Sequence, residues 1–351
     1  MKAKQIIGIG LIGLMLFSIV YVGCKSDPKP SISKPGHENK PTKQEVTAPV
    51  FVEDSAYAFV AKQVQFGPRV PNSSSHVQCG DWMVNTMKSF GATVIEQKAD
   101  LKAFDGTILH SRNIIASFAP ENPQRILLCA HWDTRPFGDK DPDKAKWNKP
   151  IDGANDGASG VGVLMEMARQ FKTKAPSIGV DIIFFDSEDY GTPEFNQDKG
   201  PDVLNTDFIT SWCLGSQYFV KNPHVRPYNP RFGILLDMVG SADAMFNKEK
   251  YSAEVASDVI NLVWGTAAKL GYQEYFYDEE VEGVIDDHVM LNRGGLRVID
   301  IIDTRPQPVA MGLGGYKFGG YHHTHKDNLQ VIDKNTLKAV GQTLMQVVYN
   351  Q

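Results

Sequence analysis

From about residue 50 onward the chain alternates between two hydrophobic periods. Residues 113–118, 125–130, 180–185, 232–236 and 298–302 are short, predominantly apolar runs rich in β-branched and aromatic side chains. Such runs predict strands, and a strand apolar on both sides is one covered on both faces, as in a largely parallel sheet. Between the runs the period becomes helical. Met83, Met87 and Phe90 fall at i, i+4 and i+7 within residues 75–90, and residues 157–171 and 335–349 read as further helices. Residues 253–270 carry Val255, Val259, Leu262, Val263 and Leu270 on one stripe. Helices interleaved with buried strands predict an α/β fold, a three-layer α/β/α sandwich on a mostly parallel central sheet. It occupies one domain, residues 47–351, with no internal repeat.

The N-terminus follows a different pattern. Lys2 and Lys4 precede a charge-free stretch over residues 6–22, which ends in Tyr21-Val22-Gly23-Cys24 and turns abruptly polar. This predicts a lipoprotein signal peptide over residues 1–24, with Cys24 as the acylated lipobox cysteine. An uncleaved membrane anchor is the alternative reading of the same stretch. Either way the body faces away from the cytoplasm, in the periplasm or at the surface of a bacterium. Residues 25–46 hold Pro28, Pro30, Pro35 and Pro41 among polar residues, the composition of a flexible tether, and His37 within it reads as solvated.

The overall composition is 42% hydrophobic and 22% charged over 351 residues, which excludes general disorder, collagen and a coiled coil. The net charge of −5 comes with no extended basic patch, so no nucleic-acid partner is expected. Beyond Cys24 the chain has Cys79, Cys129 and Cys213. An odd count with no CxxC spacing allows at most one disulfide, with no pairing deducible, and no cysteine-based metal site.

The informative residues lie where the apolar runs end. His131-Trp132-Asp133 follows one run, Asn155-Asp156 precedes a helix, and Asp186-Ser187-Glu188-Asp189 follows another run. Residues 234–236 lead into Asp237, and His322-His323-Thr324-His325 lies near the C-terminus. Ligands of open α/β sheets bind outside the carboxyl ends of strands. That edge would gather imidazoles and carboxylates without thiolates, a donor mixture suited to zinc. Each residue also has a plain structural reading. Asp156 could be an N-cap, Asp237 a backbone acceptor, His131 a satisfied core histidine, and residues 188–189 a solvated turn.

Taken together, His131-Trp132-Asp133, residues 153–156 (GAND), residues 184–189 (FFDSED) and residues 235–238 (LLDM) resemble the zinc exopeptidase family M28. Longer strings resemble its glutaminyl cyclase branch in the animal-type bacterial form: residues 131–136 (HWDTRP), 212–219 (WCLGSQYF) and 285–288 (IDDH), and His323-Thr324 followed by Asp327-Asn328. The resemblance runs from about residue 50 to the end. It implies one zinc per chain on Asp156, Asp189 and His323, with Glu188 as general acid/base and Asp237 and Asp286 as acidic partners. Phe318, His322 and Trp212 become candidate walls of the substrate pocket. Two positions depart from the animal pattern. Asp189 stands in place of Glu and should draw its strand end toward the metal, and His322 stands in place of a tryptophan.

The implied activity is that of a zinc-dependent acyltransferase. It would act on peptides or proteins with N-terminal glutamine, forming pyroglutamate and releasing ammonia. The competing enzyme is a di-zinc aminopeptidase of the same family, with a second metal on His131 and Asp237. Asp286 before Asp287-His288 speaks for the cyclase, because peptidases of the family usually carry Ser there. A non-catalytic peptide-binding lipoprotein is a remoter alternative, disfavoured by the retention of Glu188 and every ligand.

Overall fold

The computed structural model describes residues 46–199, 210–308 and 314–351. The expected signal peptide with Cys24, and the tether up to residue 45, lie outside the described residues. Helices α1 (Glu53–Gln65) and α2 (Ser74–Ser89) lead into strands β1 (Thr93–Lys102), β2 (Ile108–Phe118) and β3 (Arg125–His131). Next come α3 (Ala158–Thr173), β4 (Gly179–Phe185), α4 (Leu214–Lys221), β5 (Gly233–Asp237), β6 (Phe246–Glu249) and α5 (Lys250–Lys269). The chain closes with β7 (Phe276–Val281), α6 (Asp287–Arg293), β8 (Val298–Ile302), β9 (Arg305–Pro308), β10 (Gly314–Lys317) and α7 (Lys334–Tyr349).

The central sheet has the strand order β1-β2-β4-β3-β5-β8. β4, β3, β5 and β8 run parallel, and every residue of β4, β5 and β8 is buried. The period-two side-chain alternation then serves two cores at once. Leu128, Ala130, Ile182, Phe184, Ile234 and Leu236 face the larger core, shared with Val60, Met83, Val161, Val263 and Leu344 of the helices. Leu127, Cys129, Ile183, Phe185 and Leu235 face a smaller core closed by Phe219 of α4 and Leu291 of α6. These are the three expected layers.

The structure refines three readings. First, β2, which includes residues 113–118, pairs antiparallel with β4, and β1 extends that edge antiparallel along its whole length. β1 escapes hydrophobic reading because Glu96, Lys98 and Asp100 alternate through an edge strand in which no residue is fully buried. Second, the stripe on residues 253–270 is only partly a core face. Val259 and Val263 are buried, but Val255 is 40% exposed and Leu270 36%. Ala256 has non-helical angles (φ −147°, ψ 50°), so Val255 precedes a break in the period, and Leu270 is the C-cap beyond the last turn. Third, the question of a disulfide closes: Cys79, Cys129 and Cys213 are all free and buried.

Helix α3 fixes the position of Asp156, which precedes its first turn. It lies so close over the sheet that a Cβ on Gly160 would sit 2.4 Å from the Leu236 carbonyl oxygen and 2.9 Å from Ala130 Cβ. Gly160→Ala should therefore lower the unfolding free energy by about 1–3 kcal/mol in urea titrations. The control is Gly265→Ala in α5, where an added Cβ meets nothing within 4 Å and should stabilise by about 0.5–1 kcal/mol.

Candidate active site

The carboxyl ends of the parallel strands bring the singled-out residues to one place. His131 closes β3, Asp237 closes β5, and the turn after β4 carries Glu188 and Asp189. Asp156, Glu188, Asp189, Trp212, Asp237, Asp286, Phe318, His322 and His323 line a single cavity of about 310 Å³, joined by Arg135, Lys140 and Tyr316. His131 lies behind its wall, with Nε2 3.0 Å from Asp156 Oδ1 and 3.3 Å from Asp237 Oδ1. His323 Nε2 stands between two other oxygens, 3.7 Å from Asp156 Oδ2 and 3.4 Å from Asp189 Oδ1.

Two aspartates hold the turns that present these groups. Asp133 accepts the backbone N–H of Glu188 and of Asp189, both at 3.1 Å. Asp327 does the same for Asn155 (2.7 Å) and Asp156 (3.0 Å). The backbone beside them is strained: Ser187, Met238 and His323 have φ of 58°, 51° and 55°. Left-handed non-glycine residues cost about 1–3 kcal/mol each and persist only where the surroundings over-determine them. Buried Arg135 supplies the cation. It grips Asp139 with two hydrogen bonds of 2.7 Å, donates to the Asp189 carbonyl at 3.0 Å, and lies 4.6 Å over the Trp212 ring. Trp212 in turn lies parallel to His323 at 5.9 Å.

The electrostatics point to a cation. Burial pushes the carboxyls of Glu188 and Asp189 well above the usual range, helped by Asp286 at the first and Asp156 at the second. Burial also lifts Asp237 to about 7 against its hydrogen bond from His131. Burial opposes charge on His131, yet hydrogen bonds to Asp133, Asp156 and Asp237 hold it well above its ordinary value. Burial keeps His323 neutral, well below its ordinary value. Its Nδ1 faces Asp139 Oδ1 at 3.6 Å, leaving the Nε2 lone pair toward Asp156 and Asp189. Asp189 Oδ2 is buried and has no hydrogen-bond partner among the described residues. Two carboxylates, a neutral imidazole and one orphaned oxygen fit zinc with an open position.

His131, Asp156 and Asp237 form one group of metal-ligand spacing, and Asp156, His322 and His323 another. His322 is better suited to a wall. Lys140 Nζ lies 3.0 Å from its Nδ1. An ammonium only donates, so Nδ1 accepts and Nε2 carries the proton, with no lone pair for a metal. Phe318 packs on His322 at 4.3 Å between ring centres. Sequence reasoning did not assign Arg135, Asp139, Lys140, Tyr316 or Asp327 a part. Arg135 and Asp327 stand inside strings already noted, but the groups they satisfy are 54 and more than 170 residues away along the chain.

Asp139 is the hydrogen-bond partner of Arg135 and faces His323 Nδ1 at 3.6 Å. Asp139→Ala should weaken zinc binding about 10–100-fold in chelator competition. Asp189→Ala should remove stoichiometric zinc altogether.

Residues 113–348 match the family model of peptidase family M28. A glutaminyl cyclase from Bacteroides thetaiotaomicron, solved with N-acetylhistamine bound, is 51% identical, covering 87% of this chain and 99% of that one, with a TM-score of 0.79. A structure described as a leucine aminopeptidase precursor from the same organism is 50% identical with the same coverage and a TM-score of 0.80. Aminopeptidase YwaD of Bacillus subtilis is 25% identical over 291 residues, 80% of this chain, and the chain spans about half of its length. The residues gathered at the strand ends and the family match agree: this chain belongs to peptidase family M28.

Proposed function

We propose that this chain is a glutaminyl-peptide cyclotransferase, converting N-terminal glutamine of peptides or proteins to pyroglutamate and releasing ammonia. The observation that carries the reading is a buried acid pair at the cavity. Asp286, the residue ahead of Asp287-His288, brings a carboxylate oxygen within 4.8 Å of one on Glu188. The likeness to the Bacteroides thetaiotaomicron glutaminyl cyclase supports it across nearly the whole body.

Zinc held by Asp156, Asp189 and His323, one per chain, would supply the Lewis acid that polarises the γ-carboxamide carbonyl. The nucleophile is the substrate's own α-amine, so the chain's task is to hold it against the amide carbon for five-membered ring closure. Glu188 takes a proton from the amine and returns it to the departing nitrogen, which leaves as ammonia. Burial and Asp286 push the Glu188 carboxyl up, which lets it keep that proton between the two transfers. Trp212, Phe318 and His322 form the walls around the glutamine side chain.

The second reading is hydrolysis of N-terminal residues with two zinc ions. The spacing of His131, Asp156 and Asp237 favours it, and so do the names of two relatives. Purified zinc-loaded protein given matched glutaminyl-peptide and leucine-amide substrates separates the two by mass spectrometry. Loss of ammonia with an intact peptide bond and one zinc per chain is expected. Free amino acid with two zinc ions per chain overturns it. Glu188→Gln should lower kcat about 10²–10⁴-fold with zinc retained.

The same proposal places the enzyme outside the cytoplasm on a lipid anchor at Cys24, with the proline-bearing stretch as spacer. Cys24→Ala in a bacterial host should abolish fatty-acid labelling and shift the protein out of the membrane fraction. Unchanged labelling would sink the anchor.

A further inference from the structure

The mechanism leaves one buried group beside Glu188 without a part. Cys213 is the N-cap of α4, fully buried, with left-handed angles of φ 56° and ψ 37°. Its backbone is fastened to the turn that carries the acid/base. The Cys213 N–H donates to the Glu188 carbonyl and the Leu214 N–H to the Ser187 carbonyl, both at 3.0 Å. The Cys213 carbonyl accepts the Ser216 hydroxyl at 3.1 Å and the Gln217 N–H at 3.0 Å. The strained conformation is therefore held from both sides, and it aims the side chain at Glu188.

Cys213 Sγ lies 3.1 Å from Glu188 Oε1. By contrast the buried thiol of Cys129 stands 3.7 Å from its acceptor, the Ile234 carbonyl. The other charged groups acting on Glu188 are His131, which draws its carboxyl down, and three acids that push it up: Asp286 within 4.8 Å, Asp189 next in the chain, and Asp287. Asp286 Oδ1 already accepts the Asp287 N–H at 2.5 Å. An unrestrained carboxylate would turn away from these acids. Burial, Glu188 itself, Asp287 and Asp286 push the Cys213 thiol well above its usual range, so it keeps its proton and stays a donor.

We propose that Cys213 is a positioning residue: its thiol donates to Oε1 of Glu188 and fixes the carboxylate, leaving Oε2 to take and return the proton. The inference deepens the cyclotransferase reading and rests on it for the role of Glu188. No bond to sulfur forms or breaks in the step.

The test uses zinc-loaded full-length protein in four forms: wild type, Cys213→Ala, Cys213→Ser and Glu188→Ala. Cys213→Ala should lower kcat about 5–20-fold, with KM within about twofold and zinc content unchanged. Cys213→Ser, which keeps a donor, should remain within about threefold of wild type. Wild-type kcat in the alanine variant overturns the proposal, and so does a serine variant as impaired as alanine, since packing alone would explain that. The second readout needs no turnover. The S–H stretching band in the Raman difference between wild type and Cys213→Ala should lie at low frequency and move up in Glu188→Ala. A band indifferent to Glu188 overturns the hydrogen bond. Wild-type protein that leaves glutaminyl peptides uncyclised and releases amino acids sinks the cyclotransferase reading alone, because the same kcat comparison is then made on the peptidase reaction.

Discussion

Carboxylates held out of water at one edge of a sheet are the constraint to which the rest of this structure answers. Asp133, Asp156, Glu188, Asp189, Asp237, Asp286 and Asp287 are all buried around the ends of β3, β4 and β5. Moving such groups from water is costly unless they are paired, protonated or bound to a cation. The chain uses all three routes. Asp139 is paired with Arg135, Glu188 and Asp189 are pushed toward the protonated form, and the gap between Asp156, Asp189 and His323 suits a metal. The supporting features are ways of keeping those groups near each other despite their repulsion.

Two of these features have the same form. Asp133 accepts two consecutive backbone N–H groups at 188–189, and Asp327 accepts two at 155–156. Each fork ties a turn of the cavity to a segment remote in sequence, so Asp156, Glu188 and Asp189 are placed by backbone as well as by side-chain rotamer. Arg69 adds a third tie. It is fully buried and donates to the carbonyls of Trp132, Asp152 and Gly153, joining the stretch after β3 to the approach to α3. The positive φ values at Ser187, Met238 and His323 are tolerated in that setting, because the turns around them are already fastened.

The layers and most helices were legible in the sequence because burial on two sides leaves a continuous apolar signature, as in β4 and β8. β1 was not, since an edge strand in which no residue is fully buried reads like a polar loop. The break at Ala256 in α5 was also invisible to a periodicity argument, which assumes one uninterrupted helix. Within the site, residue type and position at element ends singled out Asp156, Glu188, Asp189, Asp237 and His323, which the fold brings to one cavity. The supporting groups did not stand out. What Asp133 and Asp327 do depends on which backbone amides come to them in three dimensions, and a carboxylate's letter is the same whether it binds metal or caps a turn. His322 was legible as a departure from the animal pattern, but its character as a wall follows from Lys140, whose contact lies 182 residues away.

The same geometry explains how one ligand set can serve two chemistries within a family. His131 Nε2 faces Asp156 and Asp237 at 3.0 and 3.3 Å, a spacing that a shared proton or a second ion can fill. With the proton there, His131 is a cation that ties Asp156 and Asp237 together. The reaction that fits is one whose nucleophile arrives with the substrate, which is the requirement of ring closure by an α-amine. A second ion held there by His131, Asp156 and Asp237 would supply an activated water, the nucleophile of hydrolysis. Occupancy at His131 would thus separate the two reactions. Asp286 bears on the same choice at Glu188, where an added acid favours a carboxyl that holds a proton over one that has already lost it.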